Sequence, residues 1–409
     1  MKFPFRHKFS IREPSRHTPV SEIPQNEYYE QISAKLGILQ VILYLSLLAF
    51  VVLSFMANTN LITYQNFYHF FKDLNASAEA IDVTNTDSVS YPADEEQSFT
   101  LYRKGLAVAG NHSVTVFTAT GRQTVSQSVN YQNPIAVGAG KYLLVYDLGG
   151  TQYSLYNSYT QVYAGKADYP IHGATVSNSG TYALISSSAE YTSVVSLYND
   201  RFALINRYNK VGYVTDVAIN DRGNLIALLT STPQNGAFVT DLMICEPGKT
   251  EPRAQTQVSS SLGLSCHFTE EGTVAVVYSG GLTFVTQAGK TKATYPVHGL
   301  EPVCVDLADG GVSICLRNTE IAEKNDVWIF DGNGKQVYQG SVPETISQIA
   351  KSGNTVDLAS AAGIWSIHLK TGGQDFSPHN TDKKILLAVN ENEFLLCSPQ
   401  KAEYIRTKN

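Results

Sequence analysis

Residues 264–299 read LSCHFTEEGTVAVVYSGGLTFVTQAGKTKATYPVHG, and the order of strands and turns in this stretch decides the fold. It opens on a short apolar run around Cys266-His267. A polar turn, Glu270-Glu271-Gly272, leads into the strongly apolar strand Val274–Tyr278. A third strand ends at a second glycine turn, Gly289-Lys290, and a more polar strand runs to Tyr295. Val, Thr, Tyr and Phe suit a pleated, half-buried surface better than a helix. The two turns place glycine where a tight hairpin needs φ > 0.

The same unit recurs from about residue 97 to the end of the chain. Its second strands are the easiest to see: Leu106–Ala109, Tyr142–Tyr146, Tyr182–Ile185, Leu225–Leu229, Val274–Tyr278, Val312–Leu316, Thr355–Ala359 and Phe394–Cys397. They are spaced by between 36 residues (106 to 142) and 49 (225 to 274), the period of a four-stranded propeller blade. Related turns precede them, among them Asn178-Ser179-Gly180, Asn220-Asp221-Arg222-Gly223, Asp309-Gly310-Gly311 and Lys351-Ser352-Gly353. A second family follows the third strands at Gly121-Arg122, Gly248-Lys249, Gly334-Lys335 and Gly372-Gly373. Two alternating turn families imply an antiparallel meander. The expected fold is therefore all-β, a β-propeller of four-stranded antiparallel blades preceded by one transmembrane helix. Eight blades are expected, or seven if the first or last unit is degenerate.

The last unit supplies only three strands, Lys384–Asn390, Phe394–Ser398 and Glu403–Arg406. A fourth is expected from Ala80–Val83 or Ser88–Tyr91, which would close the ring by joining both ends of the chain and leave no open edge.

Leu36–Met56, LGILQVILYLSLLAFVVLSFM, is uncharged over 21 residues, enough at about 1.5 Å per residue to span a hydrocarbon core of about 30 Å. It is longer than a signal peptide's apolar region, and no A-x-A-like site follows, so an uncleaved anchor is expected. Six Lys or Arg stand against four Glu in residues 1–35, whereas Lys72 is the only basic residue between Met56 and Tyr91. Basic flanks stay on the cytoplasmic side, so the tail is expected inside and the propeller outside. The expected domains are a cytoplasmic, proline-containing tail (1–35), a transmembrane helix (36–56), a juxtamembrane segment and linker (57–79) and an extracytoplasmic propeller (80–409). Tyr64, Phe67, Tyr68 and Phe71 follow helical spacing within 60–74, which suits an interfacial helix or one packed under the propeller.

At 43% hydrophobic and 16% charged, the chain of 409 residues has apolar material for a large core. A net charge of −6 gives no reason to expect nucleic acid as a partner. The five cysteines, Cys245, Cys266, Cys304, Cys315 and Cys397, lie in apolar strand-like stretches and read as small buried hydrophobes. Cys304 and Cys315 flank one turn and face each other across the hairpin only if its register allows. Tail, anchor and repeats together resemble membrane-anchored β-propeller proteins of unknown function from Gram-positive (Firmicutes-type) bacteria. The Trp-Asp ends of WD repeats are missing: neither Trp328 nor Trp365 is followed by Asp.

No motif assigns catalytic residues, a metal or a cofactor. Asp331-Gly332-Asn333-Gly334-Lys335 begins like a calcium loop, but has Lys at position five and no Glu at position twelve. Cys266 and His267 are adjacent on a strand and point to opposite faces. Tyr169-Pro170-Ile171-His172-Gly173 and Tyr295-Pro296-Val297-His298-Gly299 both fall where one blade passes to the next. His172 and His298 near a channel mouth would suit an anion or carboxylate; the simpler reading is that Pro and Gly shape the crossover and His fills a turn. The same end carries the loops between second and third strands, of which Ser186–Ser193, Ser231–Thr240 and Arg317–Asn325 are long and polar. Their Tyr191, Asn235, Glu320 and Lys324 join the two histidines as candidate binding residues. The expected function is a non-catalytic binding or scaffold module for a protein or cell-envelope ligand. The alternative is an envelope glycan hydrolase or lyase with its site in the channel, which requires two carboxylates, or His with a carboxylate, converging in one pocket.

Overall fold

The computed structural model describes residues 27–57 and 88–406, except 250, 308–309, 319–323, 382–383 and 392, with helix side chains described over 35–50. The aromatic segment 60–74, the strand candidate Ala80–Val83 and the loop residue Glu320 lie outside the described residues. The chain divides into two units, residues 1–71 and 72–409.

In the first unit one helix runs Glu27–Ala57 and takes in the whole uncharged stretch. It has no polar stripe: Leu36, Ile38, Leu39, Val41, Leu43 and Phe50 are all more than half exposed. Among the described residues no helix is long and apolar enough to cross a membrane, the described side chains covering only 35–50.

The second unit is eight four-stranded antiparallel sheets. Blades 1 to 7 each use four consecutive strands, within 97–128, 134–166, 171–210, 213–259, 263–296, 300–342 and 346–378. We letter the strands a to d in chain order. The expected second strands all lie in or overlap the b strands; Val274–Tyr278 matches residue for residue. Blade 8 is made from both ends of the unit. Its strands Ile385–Asn390, Glu393–Cys397 and Lys401–Arg406 are completed by Ser88–Ser90, paired Ser88 to Glu403, Val89 to Ala402 and Ser90 to Lys401. Val89 is buried behind this pairing, and the Tyr91 hydroxyl donates to the Ser398 carbonyl at 2.6 Å.

The core is divided among the interfaces between blades. In blade 5, Val274, Val276 and Tyr278 pack with Leu229, Leu242 and Ile244 of blade 4, while Ala275 and Val277 pack with Ile314 and Leu316 of blade 6. Both faces of this b strand are thus buried, so Val274–Tyr278 reads as an unbroken apolar run rather than as an alternating one. The turn glycines take the positive φ the hairpins need, Gly272 at 77° in the first family and Gly334 at 81° in the second.

Between the a and b strands of blades 3 to 7 the register slips by one residue at the same place, between Ile171 and Gly173, Val214 and Asp216, Gly263 and Ser265, Pro302 and Cys304, and Ile346 and Gln348. The bulge bends each inner strand as it enters the ring. An inner strand also has an edge without a strand partner, whose amides need acceptors. Side chains of the preceding blade supply several: Ser98 accepts from the Ala136 amide at 3.1 Å, Asp216 from Cys266 at 2.8 Å, Asp306 from Lys351 at 2.6 Å and Gln348 from Leu386 at 2.8 Å. These polar residues on inner strands hold blade to blade.

Candidate functional site

In a four-stranded antiparallel blade the b–c loops and the d-to-a crossovers lie at one end, and the a–b and c–d turns at the other. The crossover end carries the candidate residues. His172 is exposed and is the bulged residue of blade 3, unpaired between Ile171 and Gly173. His298 is exposed in the crossover from blade 5 to blade 6, after the d strand Thr291–Pro296. The two Tyr-Pro-x-His-Gly pentapeptides are therefore not structural equivalents, since one enters an a strand and the other leaves a d strand. Tyr191 is half-buried in a loop closed by reciprocal contacts with Ser188: the Ser188 amide donates to the Tyr191 carbonyl and the Tyr191 amide to the Ser188 hydroxyl, both at 3.0 Å. Lys324 is exposed, 4.0 Å from Asp326.

Residues 231–240 are not a long loop. Strands Ile226–Gln234 and Ala237–Cys245 pair continuously to Gln234 opposite Ala237, leaving Asn235-Gly236 as a two-residue turn with φ of 52° and 82°. The flanking strands stop short, at Tyr213 opposite Ser231 and Ser259 opposite Thr240, so 232–239 project as a bare two-stranded finger with Asn235 at its tip. An Asn-Gly turn favours this hairpin, and β-branched Thr232 and Val239 on either side support it. That signal was present in the sequence.

Three cavities bear on function. A groove of about 500 Å³ between blades 2 and 3 at the crossover end is lined by Tyr169, Tyr191, Tyr198, Arg207, Asn209 and a run of serines. Arg207 and Asp168 pair across its rim at 3.5 Å. A second cavity, about 470 Å³, lies against the inner strands of blades 2 to 5 and the turns that follow them, and includes Thr175, Asp216 and His267. Burial pushes Asp216 up to about 6, against the Cys266 and Val217 amides that favour its charged form. One oxygen takes the Val217 amide and the other the Cys266 amide, both at 2.8 Å, so this carboxylate ties blade 4 to blade 5. Burial pushes His267 below the usual imidazole value, against the nearby Asp221 carboxylate. The third cavity is a polar cleft of about 900 Å³ at the turn end of blades 4 and 5, whose Glu246 pairs with Lys249 and with Arg253 at 3.3 Å.

The surface feature that the linear reading missed is apolar. Among the described residues of the propeller, the exposed large apolar side chains are Leu148, Tyr169, Leu204, Val211, Tyr213, Phe238, Leu264, Val337, Phe376 and Ile385. Leu148, Tyr169, Val211, Tyr213, Phe238, Leu264 and Ile385 all sit at the crossover end, and the first six fall within blades 2 to 5. Val211 is 79% exposed and Tyr213 54%.

The fold is shared with solved structures at low sequence identity. The C-terminal WD40 domain of Sif2 is 12% identical, with 78% of this chain and 97% of that one covered and a TM-score of 0.56. BamB from Moraxella catarrhalis is 13% identical, with 79% and 97% covered and a TM-score of 0.53. A eukaryotic initiation factor structure is 12% identical, with 75% and 83% covered and a TM-score of 0.52. A search of curated proteins gives no match. Residues 77–407, which span the whole propeller, match the model of a family described as "Family of unknown function (DUF5711)", and the chain belongs to that family.

Proposed function

We propose that this chain is a membrane-anchored, non-catalytic binding propeller. In this reading the helix Glu27–Ala57 lies in a bilayer with the tail on the cytoplasmic side, and the crossover face of the extracytoplasmic propeller receives a protein or cell-envelope partner. The observation that carries the binding half is the gathering of Leu148, Tyr169, Val211, Tyr213, Phe238 and Leu264 on one face of blades 2 to 5. Apolar area left in water costs roughly 25 cal/mol per Å², and clustered exposure of this kind marks contact surfaces. Tyrosine and phenylalanine among them are residue types enriched at interface centres. Anchoring is supported by the uncharged run of 21 residues and by the all-round apolar exposure of its described part. The basic tail supports the orientation.

The test is site-specific photo-crosslinking from the full chain in its native membrane. A crosslinker at Tyr213 is expected to give discrete adducts, and one at Leu204, at the turn end, none. Adducts from a reporter at Phe238 should fall about tenfold when Val211 and Tyr213 are both changed to Asp. Equal labelling from position 204, or adducts indifferent to the double substitution, would remove the crossover face as the binding surface.

A further inference from the structure

We propose that Cys304 and Cys315 are a redox-active pair that closes to a disulfide between the first two strands of blade 6. Strands Leu300–Asp306 and Val312–Asn318 are antiparallel neighbours, and their register sets Cys304 directly against Cys315. Directly opposed residues of an antiparallel pair have Cα atoms about 4.5 or 5.5 Å apart. Both values lie inside the roughly 4.4–6.8 Å that a disulfide spans. The bulge between Pro302 and Cys304 creates this juxtaposition, because it lets the strand gain a residue before Cys304 is reached. Both side chains face the interface with blade 7, where Cys315 is buried with Val327, Ile329 and Ile346 and Cys304 packs at the margin. The neighbouring Cys304 thiol first, and burial second, hold Cys315 far above the usual thiol range. Cys245, Cys266 and Cys397 are buried in three other interfaces, each apart from this pair.

The oxidant is a low-molecular-weight disulfide. Cys304 is half-buried and Cys315 fully buried, so exchange starts at Cys304. Its thiolate attacks one sulfur of the reagent, the reagent's S–S bond breaks, and one thiol leaves a mixed disulfide behind. The Cys315 sulfur then attacks the Cys304 sulfur, its proton passes to the departing thiolate, and the second reagent thiol leaves. Two protein thiols are oxidised and one disulfide is reduced to two thiols. Cys315 is buried, so closure is the slow step. The bond clips the inner strand of blade 6 to the strand that leads into the loop after Asn318.

Tryptic fragment 293–317 contains Cys304 and Cys315 and no other cysteine, so one peptide reports the pair. The full chain, in detergent, is equilibrated in glutathione buffers from fully reduced to fully oxidised, acid-quenched, denatured, alkylated with N-ethylmaleimide and digested. In reduced buffer the fragment is expected to carry two maleimides. In oxidised buffer it should carry none and be lighter than the unlabelled dithiol by two hydrogens. Cys304→Ser should leave Cys315 alkylated in every buffer, and Cys315→Ser should trap glutathione on Cys304. A doubly alkylated fragment after equilibration with oxidised glutathione, or a wild-type mixed disulfide that never closes, overturns the proposal.

Discussion

Asp357 is 1% exposed, on the side of its strand that carries Ala359 into the interface with blade 8, where Ile364 of the next strand stands opposite Ala359. One carboxyl oxygen accepts the Ser366 hydroxyl at 2.6 Å, and the other has no partner. Burial pushes its pKa up from 3.8 to about 6, against the Ser366 hydrogen bond and nearby His368. The folded protein therefore holds this proton more tightly than the unfolded chain. Stability falls as pH rises from about 4 to about 6, and the full cost, on the order of 3 kcal/mol, applies above that window. Asp357→Asn removes the ionisation. In urea unfolding at pH 4.5, 5.5 and 7.5, the variant should gain on the wild type as pH rises, levelling off above about pH 6.5. Parallel stability curves for the two proteins would refute it. Nothing in Thr355-Val356-Asp357-Leu358 distinguishes this buried carboxyl from a turn-flanking surface one, because its burial comes from blade 8.

At the scale of the turn, Gly334 and Gly372 look alike in sequence, and both have positive φ, 81° and 71°. Their surroundings differ. A Cβ on Gly334 would lie 2.6 Å from Cγ of the fully buried Phe284, whereas one on Gly372 would meet nothing within 4 Å. Gly372→Ala should cost only the left-handed backbone penalty, about 1 kcal/mol. Gly334→Ala adds a clash with a ring that cannot move aside, and should cost roughly 2 kcal/mol more. Chemical denaturation of the two variants compares them directly, and equal losses would refute the packing argument. The turns themselves were legible because glycine spacing is a local property. The bulges were not. A one-residue slip leaves the composition of a strand unchanged while turning its following side chains to the other face.

At the scale of the whole molecule, the ring depends on a three-residue strand. Ser88–Ser90 is short, yet Val89 and Tyr91 are buried with Leu106 and Phe117 of blade 1 and Leu395 and Cys397 of blade 8. Val89→Asp places an unpaired charge there and should cost roughly 3 kcal/mol or more. Val89→Thr, which keeps the shape, should cost less. Thermal melts, together with proteolysis that cuts near residue 92 in the Asp variant and not in the wild type, would report the opened blade. Wild-type melting in Val89→Asp would mean that the ring closes without this strand. The missing fourth strand was readable by counting three strands in the last unit, and its partner segment was one of two candidates, of which the described residues contain Ser88–Ser90.

The sequence alone determined the blade unit, a count of eight or seven blades, the antiparallel meander and the long apolar run of the helix. Each depends on local quantities: glycine at positive φ, β-branched and aromatic strands, and uncharged length. Only the tertiary structure decided that Asp216 and Gln348 bind blades together, that Cys304 faces Cys315, and that six scattered apolar residues share one face of blades 2 to 5. Those relations join separate strands, and in blades 3 to 7 a one-residue bulge in the inner strand helps set which side chains meet.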